Sequence, residues 1–100
     1  MKGHLMNVML IVRITSKSGK GHEIARLIEP VPKVNEIDGC SGMEVFTDNS
    51  SPDTILIIEY WDSIERHKTF LSGLQEAGGL DKMLELSENV VRTYFVETNE

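Results

Sequence analysis

From Leu5 to Thr15 the chain reads LMNVMLIVRIT, a Val- and Ile-rich run that stops at the Ser/Lys/Gly cluster of residues 16–21. That pattern predicts a first strand. Met6, Val8, Leu10, Val12 and Ile14 share one face, while Leu5, Met9 and Ile11 share the other with only Asn7 and Arg13 as polar members. A strand that is apolar on both sides is covered on both sides. Beyond Gly19-Lys20-Gly21-His22, the residues Ile24, Leu27, Ile28 and Val31 follow helical spacing. Ser18 or Gly21 is a suitable start for that helix, and Pro30 and Pro32 end or bend it.

Asp38-Gly39 signals a turn, followed by a second strand over about Ser41 to Thr47 and a polar loop at residues 48–53. A third strand is predicted from Thr54 to Trp61 (TILIIEYW), again apolar on both faces at its centre. Asp62 or Ser63 caps the next helix, with Asp62-x-x-Glu65 at capping-box spacing. Its apolar stripe is Ile64, Phe70, Leu71 and Leu74. Gly78-Gly79 interrupts it, one or two further turns cover Leu80 to Leu86, and a last strand runs from about Asn89 to Glu97.

The order β-α-β-β-α-β specifies a split βαβ, ferredoxin-like α+β fold: a four-stranded antiparallel sheet with both helices on one face. The whole chain, 1–100, is expected to be one such domain. Two helices cover only one face, yet the first and third strands carry large apolar side chains on both. Each such side chain, fully buried, contributes roughly 1.5–3 kcal/mol. The expected cover is a second copy, a homodimer packed sheet against sheet into a dimeric α/β barrel.

Composition narrows the function. Sixteen acidic against ten basic residues give a formal charge of -6, which argues against nucleic acid and against anionic lipid as partners. One cysteine excludes an internal disulfide. No apolar run reaches the length of a membrane span and the start has no signal-peptide pattern, so a cytoplasmic protein with no membrane partner is expected. His4, His22 and His67 lack metal-pair spacing and Cys40 has no ligand neighbours, so no metal is expected.

The richest segment is Glu59 to His67. Trp61, the single tryptophan, walls a pocket or finishes the core. Glu59 shares its face and either lines that pocket or bridges to Arg13 or Arg92. His67 falls on the helix's apolar stripe, either as a satisfied core or cap histidine or as a pocket-edge group titrating near neutrality. Asn7, a polar amide in an apolar strand, pairs near the strand's start or faces a cavity and holds a ligand. Met9, Met43, Phe46 and Tyr94 are candidates for the apolar wall.

The run Glu36-Ile37-Asp38-Gly39-Cys40-Ser41-Gly42-Met43-Glu44-Val45, followed by Ile58-Glu59-Tyr60-Trp61-Asp62-Ser63-Ile64-Glu65-Arg66-His67, resembles the antibiotic biosynthesis monooxygenase family. The resemblance spans nearly the whole chain. It implies a dimeric α+β barrel, and it nominates Asn7, Trp61 and His67 as catalytic. It also implies an enzyme without cofactor that oxidises a quinol or polycyclic phenol-type molecule with O₂. A non-catalytic small-molecule-binding barrel and a haem-degrading monooxygenase are the alternatives within the same resemblance. The haem-degrading branch carries a histidine in the stretch matched by Gly73 to Gly79, where this chain has none.

Overall fold

Strand β1 (Val8–Ser16) sits inside a sheet of order β2-β3-β1-β4, with β2 (Cys40–Asp48), β3 (Ser51–Trp61) and β4 (Ser87–Val96) all antiparallel to their neighbours. Helices α1 (Gly21–Ile28), α2 (Ile64–Glu76) and α3 (Asp81–Leu86) complete it. The computed structural model describes residues 7–28 and 36–98. Leu5, Met6 and the Val31–Pro32 end of the first helix signal lie outside the described residues. The ferredoxin-like α+β order is the one the hydrophobic pattern specifies. No helix among the described residues is long and apolar enough to cross a membrane.

Side-chain alternation divides the sheet into two unlike faces. Val8, Leu10, Val12 and Ile14 of β1 join Ile55, Ile57 and Trp61 of β3 beneath Ile24, Ile28, Met83 and Leu86 of the helices, and this is the core. Register holds it together: Val8 lies opposite Trp61, Val12 opposite Ile57 and Ile14 opposite Ile55. The reverse face carries Phe46 and Phe95, each 49% exposed, together with the exposed Tyr60 and Val91. Met9, Ile11, Leu56 and Ile58 fill its centre, only partly buried. Both faces are therefore apolar, as the two-sided strands require.

The second helix starts at Ser63, whose hydroxyl accepts the Arg66 N–H at 3.1 Å. The cap is thus Ser63 itself, and the expected Asp62–Glu65 box is not used, because Ser63 has the extended backbone that a cap needs. At the first helix neither Ser18 nor Gly21 supplies a capping side chain. Asp53, at the start of β3, accepts from the Gly19 N–H at 3.0 Å and the Gly21 N–H at 3.1 Å. Those two amide bonds hold its carboxyl below the ordinary value. Gly21 is needed for the approach, since a Cβ there would sit 2.1 Å from the Pro52 carbonyl oxygen.

Candidate functional site

Trp61 closes β3 on the helix face and is 2% exposed. Glu59, two residues earlier on the same face, accepts the Trp61 Nε1–H at 2.9 Å. The indole also meets two α2 rings: His67 edge-on at 5.3 Å between centroids, and Phe70 tilted at 5.6 Å. His67 is 3% exposed, and its Nδ1 lies 2.6 Å from the Tyr94 hydroxyl of β4. With the ring as its Nε2–H tautomer, that hydroxyl donates to Nδ1. Glu59, Trp61, His67 and Tyr94 thus form one continuous set that ties α2 to the sheet.

Between α2 and the sheet lies a cavity of about 90 Å³, lined by Cys40, Met43, Glu59, Trp61, Phe70 and Met83 with Ile28, Ile37, Ile57, Leu74 and Leu80. Its walls are almost wholly apolar. Desolvation pushes the Glu59 carboxyl above its ordinary value of 4.5, against the opposing Trp61 hydrogen bond and Arg92 charge. Burial likewise raises the Cys40 thiol, whose Sγ–H donates to the Gly42 carbonyl at 3.5 Å. His67 is lowered from 6.5 to about 4, first by desolvation and then by the Arg92 and Lys68 charges. It is therefore neutral near pH 7 and a weaker base than an ordinary imidazole, not the near-neutral titrating group that one sequence reading allowed. Tyr94 is raised, chiefly by burial.

The remaining sequence candidates fall elsewhere. Asn7 shares the face of Met9, opposite to Trp61. Its Nδ2–H donates to Glu97 Oε1 at 2.9 Å, and its carbonyl accepts the Glu97 N–H at 2.9 Å. Asn7 and Met9 line a separate open cleft with Ser41, Tyr60 and Phe95. Asn7 and Trp61 therefore do not line one cavity within a chain. Phe46 is opposite Leu56 on the bare face, so it cannot wall a pocket with Tyr94. Arg13 is opposite Leu56 there as well, which removes it as a partner for Glu59. Arg92, opposite Val12 on the helix face, is the cation that acts on that carboxylate. Among the described residues, no group of three or more metal-ligating side chains assembles.

Sequence reading missed Cys40, Phe70, Leu74 and Met83 as cavity wall. Phe70 and Leu74 stand three and seven residues after His67, which is the available signal. Cys40 gives none, because its position opposite Trp61 depends on register.

A family model described as antibiotic biosynthesis monooxygenase matches residues 7–75, which include β1 to β3, all of α2 but its last residue and most of the cavity wall. The chain belongs to the antibiotic biosynthesis monooxygenase family. Solved structures agree on the fold. A candidate antibiotic biosynthesis monooxygenase from Chloroflexus aurantiacus J-10-fl is 24% identical with a TM-score of 0.76, covering 94% of this chain and 95% of its own. Another from Deinococcus radiodurans is 22% identical with a TM-score of 0.75, covering 93% of each chain. A variant of SnoaB, a cofactor-independent oxygenase from Streptomyces nogalater, is 13% identical with a TM-score of 0.77, covering 94% of this chain and 95% of its own. At these identities the likeness concerns the fold alone. No curated protein sequence matches the chain.

Proposed function

We propose that the chain is a cofactor-independent oxygenase acting on a small, electron-rich phenol or quinol, held in the cavity between α2 and the sheet. The observation that carries this reading is a carboxylate, Glu59, set in an apolar cavity and fixed by the Trp61 Nε1–H. Family membership and the fold shared with SnoaB support it.

Triplet dioxygen reacts slowly with closed-shell molecules, whereas an ionised phenol can give it one electron. Glu59 takes the phenolic proton, and its desolvation makes it a stronger base than an exposed carboxylate. The resulting radical pair combines at ring carbon. The O–O bond of the peroxide then breaks as the hydrogen on that ring carbon leaves; this hydrogen and the proton returned from Glu59 complete a water molecule, and the carbon keeps the other oxygen as a quinone carbonyl. One oxygen atom enters the product and the other becomes water, so no outside reductant is needed. Trp61 orients Glu59 and walls the ring, while the apolar lining keeps water from the intermediate. His67, neutral and engaged with Tyr94, positions Trp61. A second copy covers the bare sheet face.

Oxygen uptake in the presence of a metal chelator, with a panel of quinols and phenols, tests this reading. Glu59→Gln is expected to lower the rate about 10²-fold, as for loss of a general base. A second reading, ligand binding without turnover, draws on the separation of Asn7 from Trp61, which leaves no side-chain amide among the described residues that line the cavity. Saturable binding with no oxygen consumption favours that second reading.

A further inference from the structure

The bare sheet face carries two opposite charges that do not meet within one chain. Arg13 and Glu44 are both exposed there. Among the described residues, Arg13 has no hydrogen bond or ion pair. Glu44 accepts from the Tyr60 hydroxyl at 3.3 Å through Oε1, which leaves its other oxygen available. A second copy laid on this face strips water from both groups, and a desolvated charge without a partner is costly.

Register fixes where each charge stands. Arg13 is level with Leu56 and Phe46, and Glu44 is level with Ile58 and Ile11. With strands about 4.8 Å apart and same-face neighbours about 6.8 Å apart along a strand, the two positions lie about 12 Å from each other. A two-fold axis between two facing sheets exchanges Arg13 with Glu44 when it bisects the line joining them. That axis crosses β3 between Leu56 and Ile58, and on the same grid it runs within about 2 Å of Phe46, Ile11, Met9 and Phe95. The apolar side chains therefore meet along the axis, and the two charge pairs flank it. The strands of the two sheets cross at about 70°, towards the orthogonal class of sheet packing. The second copy's Phe46 comes down between Phe46 and Leu56, where a hollow of about 200 Å³ is lined by both, with Arg13, Thr47, Asp48 and Thr54. Asp48, the carboxylate at that end, is engaged with the Ser50 N–H at 2.8 Å.

We infer that two copies associate about this diagonal axis, with Arg13 of each paired to Glu44 of the other in two equivalent ion pairs. The pairing builds on the second copy proposed above and is independent of the oxygenation chemistry.

Sedimentation equilibrium over a dilution series gives the dimer dissociation constant of each variant. Arg13→Glu and Glu44→Arg each set like charges face to face twice per dimer and are expected to raise that constant at least about 10²-fold. The double variant, which reverses both pairs, is expected to return to within about ten-fold of wild type. Neither side chain belongs to the core, and thermal melts check that the variants stay folded. Arg13→Gln and Glu44→Gln, which remove a charge without reversing it, are a milder pair, each expected to raise the constant about ten-fold. Single variants that dimerise like wild type, or a double variant no better than the singles, overturn the pairing. Rescue of Arg13→Glu by Glu97→Arg in place of Glu44→Arg overturns the axis, since pairing Arg13 with Glu97 turns it across the strands and carries Phe46 past the end of the opposing β3. A monomeric wild type overturns the interface altogether. A dimer that passes the charge swap but consumes no oxygen overturns the oxygenase reading alone.

Discussion

The Tyr94 hydroxyl and His67 Nδ1 stand 2.6 Å apart, joining the edge strand β4 to helix α2. Burial of His67 beside the Arg92 and Lys68 charges makes stability depend on pH in a defined direction. Folding lowers the His67 pKa from 6.5 to about 4, so between those values the unfolded chain binds the extra proton. Its contribution is complete above pH 6.5 and is lost as pH falls towards 4, with a slope of at most about 1.4 kcal/mol per pH unit. Urea unfolding across that window is expected to show the loss, and His67→Gln to flatten it. Tyr94→Phe, which leaves Nδ1 without this partner, is expected to cost about 1–3 kcal/mol at pH 7.

Glu59 predicts the opposite trend. Its folded pKa is raised above 4.5 by burial. The protonated form suits the fold, and that advantage is lost as pH rises through the folded value. Thermal melts of wild type and Glu59→Gln are expected to diverge above pH 4.5, the variant gaining relative stability as pH increases. Parallel curves would show that the carboxyl is not desolvated.

Much of this arrangement is legible in the chain, and the gaps have physical causes. Alternation places Glu59 with Trp61, and it separates Asn7 from Val8 and Leu10. It cannot say which face the helices cover, because both faces of β1 and β3 are apolar. In β2 alternation itself fails. Cys40 lies opposite Trp61 and Met43 opposite Glu59, so three steps on one strand match two on the other across an irregularity at Ser41. That extra residue brings Cys40 and Met43 to one face, where strict alternation would part them. It also sends Phe46 to the bare side. The Asp53 cap joins residues 32 and 34 positions apart, a distance no local pattern reaches.

Asp53 should act through the start of α1. Its lowered pKa means that the carboxylate stabilises the fold above the ordinary value of 3.8, and that this stabilisation is lost as pH falls through the folded value. Asp53→Ala is expected to lower the melting temperature at pH 7, and the gap should close in strong acid. A gap independent of pH would assign the effect to packing instead.

The bare sheet face predicts association. Phe46 and Phe95 are each 49% exposed there, and burying such a ring contributes roughly 1.5–3 kcal/mol. Sedimentation equilibrium is expected to give twice the 11.3 kDa chain mass. Phe46→Lys with Phe95→Lys should yield a folded monomer, since neither ring belongs to the core. A wild-type monomer at micromolar concentration would refute the dimer.

The oxygenation proposed above takes place on the helix face of the sheet, and a comparison of two variants on one quinol tests that most directly. Steady-state oxygen uptake is expected to fall about 10²-fold in Glu59→Gln and to stay at the wild-type rate in Asn7→Ala. A full rate in Glu59→Gln together with a collapse in Asn7→Ala would move the reaction to the opposite face and contradict the account.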